Sequence, residues 1–140
     1  ARNDRDPAHY EKIGDTMRLS QLGTFCCALG VVCGAFGAHA LEKRLSPDAM
    51  DWWQTATTYL WYHALGILAL GAYRNRSGTV DRAVWYLITP GILLFSGSLY
   101  LYAFTGFRTF GMITPVGGSL LLIGWVRLGF VIHRERAQPK

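Results

Sequence analysis

His63 is the side chain in this 140-residue sequence best suited to carry chemistry, with Tyr59 four residues before it and Ser96 and Ser98 in a later apolar segment. Histidine exchanges a proton near neutral pH, and neighbouring hydroxyls both donate and accept hydrogen bonds. Thr55, Tyr59 and His63 recur every fourth residue, so on a helix they make one polar stripe with Tyr62 beside it. A second candidate is His39 with Glu42, whose i, i+3 spacing puts them on one helix face as a proton or metal site. The plainer alternative is a histidine closing a helix end and a carboxylate paired with Lys43, Arg44 or lipid headgroups. Cys26, Cys27 and Cys33 lack Cys-x-x-Cys spacing and have no cysteine elsewhere to pair with. They read as small, buried thiols, with metal or redox work as the alternative. No nucleophile with a base, phosphate loop or pair of intramembrane carboxylates stands out. No catalytic residue, cofactor or metal site is therefore expected, and the chain is not expected to be an enzyme.

Elements of unusual composition must position these residues. The chain is 51% hydrophobic and only 16% charged, against about a quarter charged in a soluble domain. Residues 19–41, 55–73, 84–107 and 111–126 contain no Lys, Arg, Asp or Glu. Each stretch approaches the ~20 residues a helix needs to cross a bilayer. The expected fold is all-α: a polytopic membrane protein with a four-transmembrane-helix bundle in residues 19–133. Its helices run over about 19–41, 47–73, 81–104 and 111–133, between polar tails at 1–18 and 134–140. If Trp53 marks the outer interface, His63 lies ten residues deeper, roughly 15 Å at helical rise and near mid-membrane. Ser96 falls at a similar depth from the outer end of its own helix. His39 stays near the surface, so the two histidines are too far apart along the membrane normal to share one metal.

The excess positive charge follows the membrane rule and is not a nucleic-acid signal. Eleven basic residues fall in the N-terminal tail, the middle loop and the C-terminal end of the chain, among them Arg18, Arg76, Arg82, Arg127 and Arg134. Lys43, Arg44 and Arg108 alone fall in the other two loops. Basic residues concentrate on the cytoplasmic side, so both termini are expected there, in an inner (plasma) membrane. The first 18 residues lack the apolar core of a secretory signal. Met17 directly precedes the first apolar stretch. Either residues 1–16 extend a core that could begin at Met17, or a start residue was removed ahead of Ala1. A polar tail of this kind is ordered only when tied down, which would make residues 1–16 a docking segment.

Glycines pattern the apolar stretches. Gly30-x-x-x-Gly34 is the small-x-x-x-small spacing of closely packed membrane helices, and Gly30 and Gly37 lie two turns apart on one face. Gly97, Gly117 and Gly118 are read as packing residues in the later helices. Ser46-Pro47-Asp48 is a strong helix start: a cap, a proline in the first turn and an acid beside it. Trp52 and Trp53 are expected at the outer headgroups. Pro90 is expected to kink the third helix unless the freed carbonyl is satisfied. Pro115 either opens the fourth helix or lies in its first turns.

GAFGAHAL, TATTYLWYHALGIL, GILLFSGSLYLYAFTG and ITPVGGSLLLIGW occur in that order. Together they resemble the YgdD/YwdK-like small membrane proteins, the domain-of-unknown-function 423 family, which has a mitochondrial relative, transmembrane protein 256. The resemblance covers about residues 17–126. It implies a four-helix inner-membrane protein and no established activity. On these grounds the expected role is an accessory or structural subunit of a larger inner-membrane complex, such as an energy-transducing one. It would dock by glycine-rich faces and tails to other integral membrane subunits. The alternative is a small oligomeric, proton-linked transporter or channel built around His63, which would make the chain a homo-oligomer.

Overall fold

A computed structural model describes residues 7–77 and 83–137. Among these the fold is all-α, with four helices and no strand. Helix α1 covers Pro7–Phe36 and continues as a wide π turn over Gly37–Leu41. Helix α2 covers Pro47–Ser77. A second π turn at Val84–Ile88 leads into α3, Thr89–Thr105, and α4 covers Arg108–Ala137. The expected spans at 19–41, 47–73 and 111–133 lie inside these helices. The expected start of the third, residues 81–82, lies outside the described residues, as does the N-terminal part of the proposed docking segment, residues 1–6.

Segments Arg18–Leu41, Val84–Thr105 and Arg108–Arg134 are long and apolar enough to cross a membrane. Helix α2 is longer than any of them but carries Gln54, Thr55, Thr57, Thr58 and His63. Of these only His63 is buried; Thr57 is half-buried, and Gln54, Thr55 and Thr58 are exposed. Ala49, Trp53, Ala56, Leu60, His63, Ile67 and Leu70 are all buried, and their alternating spacing of four and three makes a continuous heptad seam. Helix α2 packs on α1 and on α3, and α3 packs on α4, while α1 and α4 share no extensive interface. The molecule is two antiparallel hairpins, α1/α2 and α3/α4, joined through α2 and α3.

Local chemistry sets the helix ends. The Ala49 N–H donates to Ser46 Oγ at 3.2 Å, as the Ser-Pro-Asp signal predicts. Helix α3 stops at Gly106, whose φ of +67° suits a residue without a Cβ. Its N–H donates to Tyr102 O at 2.9 Å. Helix α4 restarts at Arg108, so the gap expected between the third and fourth helices, residues 105–110, shrinks to Gly106 and Phe107. Pro115 consequently lies within α4 and does not begin it. Pro90 follows the second π turn. Lacking an N–H, it takes the usual donor away from Tyr86 O, and its ring crowds that carbonyl. The wide turn relieves the crowding, and Thr89 Oγ1 donates to Val84 O at 2.9 Å.

Glycine holds each hairpin together at close range. In the first, a Cβ at Gly23, Gly30 or Gly37 would lie 2.6–2.8 Å from Leu68, Trp61 or Trp53 of α2. These three glycines are seven residues apart, which is one helix face. In the second hairpin, Gly117 lies directly on the α3 backbone at Leu94–Phe95. Gly124, seven residues on, faces Ile88 at 2.8 Å by the same measure.

Candidate intramembrane polar site

His63 occupies a core position of the α2 seam and is 8% exposed. Its Nδ1 lies 2.6 Å from Tyr59 O. A carbonyl can only accept, so Nδ1 carries the hydrogen, and in the neutral ring Nε2 is then an acceptor. Nε2 has no hydrogen-bond partner among the described residues. The ring lies between aromatic groups, with the Tyr59 and Trp125 centroids each 6.1 Å away. Tyr59 in turn packs against Phe95 at 4.6 Å. Trp125 enters from α4 over Gly66, where a Cβ would meet the indole at 2.5 Å. Gly66 therefore makes room for the ring that covers His63.

The serines do not join this group. Ser96 Oγ donates to Ala56 O across the α2/α3 contact at 2.9 Å. Ser98 Oγ lies 2.8 Å from Thr114 Oγ1, tying α3 to α4, and 3.1 Å from Phe95 O. Both hydroxyls are used to join helices. The polar stripe expected on α2 is divided: His63 faces inward, whereas Thr55, Tyr59 and Tyr62 are exposed.

A second polar group, which sequence reasoning missed, lies nearer the α1–α2 connection. Trp53, expected at the headgroups, is 5% exposed. Its indole N–H donates to Cys33 O at 2.9 Å. Thr57 Oγ1 donates to Trp53 O at 2.9 Å and lies 3.0 Å from the Tyr100 hydroxyl. Phe36, Tyr100 and Phe104 surround the indole with centroids 4.4–6.1 Å away. The available signal was the heptad Trp53-Ala56-Leu60-His63, which puts Trp53 on the buried face. Trp52 stacks on Tyr102 at 3.9 Å, latching the same ends of α2 and α3.

His39 and Glu42 are both exposed; His39 lies within the π turn and Glu42 caps its end. The wider winding of the turn breaks the register that puts i and i+3 on one face. Glu42 borders a groove of about 430 Å³ with Gly34, Trp53, Gln54 and Thr58, and His39 does not line it. Among the described residues no three His, Cys, Asp or Glu side chains gather as metal ligands. Cys26 is buried, Cys27 and Cys33 are half-buried, and none is in a disulfide.

The glycines expected to pack differ among themselves. Gly30, Gly37 and Gly117 sit in tight contacts, and Gly118 meets the Phe95 ring at an ordinary 3.5 Å. A Cβ at Gly34 would find only Thr57 Cγ2 at 3.9 Å, and one at Gly97 nothing within 4 Å. Gly34 therefore borders the groove and leaves the seam to Gly23, Gly30 and Gly37.

Residues 33–118 match the model of the family described as "Protein of unknown function (DUF423)". The chain belongs to the DUF423 family. A UPF0382 membrane protein of Staphylococcus saprophyticus is 45% identical over 107 residues, covering 76% of this chain and 89% of that one. One from Haemophilus influenzae is 42% identical over 118 residues, covering 82% and 90%. The UPF0382 membrane protein YwdK of Bacillus subtilis is 39% identical over 110 residues, covering 76% and 89%. No solved structure matches the chain. The DUF423 match spans the groove, both polar groups and Gly117, and ends before Trp125. This family assignment and the three apolar spans establish a helical membrane protein.

Proposed function

We propose that this DUF423 protein is a non-catalytic accessory subunit of a larger inner-membrane complex. Four crossings with both termini on the cytoplasmic side follow from the bias of basic residues toward the tails and middle loop. The observation that carries the reading is how the intramembrane polar groups are used. Ser96, Ser98, Thr57 and Trp53 each bond a neighbouring helix, as in a scaffold held in one register. The docking surface is the face of α1 turned away from its glycine seam. Phe25, Leu29, Val32 and Phe36 are exposed there at the four-three-four spacing that suits a neighbouring helix. Mild-detergent extraction from native membranes tests this. Stoichiometric partner subunits in the particle are expected, and a free monomer would sink the reading.

His63 supports a second reading, a proton-linked transporter, because its Nε2 is buried and unpartnered among the described residues. His63→Gln separates the two. A transporter loses pH-dependent flux on this change, and an accessory subunit keeps its insertion and its partners.

A further inference from the structure

Arg127 sits where a cation is costly. It lies inside the apolar span Arg108–Arg134, with Leu120–Val126 on one side and Leu128–Ile132 on the other. Five further apolar-run residues leave its Cα about 8 Å short of the end of that run. The side chain is exposed and makes no ion pair or hydrogen bond among the described residues. Arg134 follows two turns later, on the same face and about 10 Å along the axis. Both arginines lie along a shallow, open groove on one face of α4, beside Ile123, Val126 and Phe130. The groove is apolar toward the membrane centre and cationic toward the tail.

A guanidinium at this depth either reaches along its own stem to the headgroups or draws an anion to it. We propose that the groove binds an anionic glycerophospholipid. Arg127 and Arg134 hold the phosphate, and one acyl chain lies along Ile123, Val126 and Phe130. Guanidinium pairs with phosphate oxygens through two parallel N–H donors. Charge complementarity selects a headgroup without an ammonium. A zwitterionic lipid brings its own cation, which competes for the phosphate and meets a second guanidinium. The inference is independent of the accessory-subunit reading, because it concerns α4 and not the docking face of α1.

Native mass spectrometry of the full chain in detergent micelles tests it, with phosphatidylglycerol or phosphatidylethanolamine of matched acyl chains. Phosphatidylglycerol is expected to bind at roughly tenfold lower concentration. R127Q is expected to abolish most of that preference, R134Q to weaken it, and R127K to keep much of it. R108Q, at the opposite end of α4, is expected to leave it unchanged. Equal binding of the two lipids overturns the proposal. So does a preference that survives combined R127Q and R134Q, or one lost equally in R108Q.

Discussion

On α1, Gly30 and Gly37 receive the indoles of α2; on α4, Gly117 receives the backbone of α3. Both hairpins use glycine for close approach, yet they differ in what can yield. An indole or leucine end can shift by a few tenths of an ångström, whereas a backbone cannot move without carrying its helix. At Gly30 and Gly37 the first hairpin is thus the more adaptable, whereas a Cβ at Gly23 would also meet the Leu68 backbone N at 2.9 Å. The first hairpin also carries the groove beside Gly34, a π turn without a proline to account for it, and the Phe25–Phe36 stripe on its outward face. The second is the tighter clamp, tied further by Ser98 and Thr114. An accessory subunit needs this division: one hairpin fixes its shape, and the other meets a neighbour.

Substitutions can break the contrast. Gly117→Leu drives a side chain into the α3 backbone, and the loss is expected to exceed the usual ~1–3 kcal/mol for overpacking. Thermal unfolding in detergent should show little folded protein. Gly37→Ala crowds the Trp53 indole, whose N–H bonds Cys33 O. The expected cost is about 1–2 kcal/mol, read as a lowered Tm, and a cost equal to that of Gly117→Leu would erase the distinction. Ser96→Ala removes one interhelical hydrogen bond, worth about 0.6 kcal/mol in membrane proteins. A small Tm drop with unchanged helicity by circular dichroism is expected. Gly34→Ala is expected to leave Tm unchanged, because its new Cβ meets only Thr57 at 3.9 Å. A Tm drop like that of Gly37→Ala would return Gly34 to the seam.

The helices were legible because their apolar runs are long and uncharged, and Ser46-Pro47-Asp48 marks a helix start by local chemistry alone. The Gly30–Gly37 face was legible from spacing. Gly34 was not separable from it, since small-x-x-x-small spacing does not say which face meets a partner. The burial of Trp53 was missed because tryptophan favours both interfaces and buried seams, and the heptad that shows it on the buried face needs the whole of α2. The pairing of His63 with Ser96 rested on depth, and depth does not give the direction a side chain faces. Neither π turn was foreseen. The turn at Val84–Ile88 follows from Pro90 once the helix is known to begin before it. The turn at Gly37–Leu41 has no counterpart in local sequence, and it changes the helical register between His39 and Glu42.

The central claim is that the outward face of α1 meets another protein. A photo-crosslinking amino acid at Val32, activated in native membranes, tests it most directly, with Ile123 on α4 as the comparison position. The account predicts one discrete protein adduct from Val32, of a mass that is not a second copy, and lipid adducts from Ile123. Lipid adducts alone at both positions would contradict it.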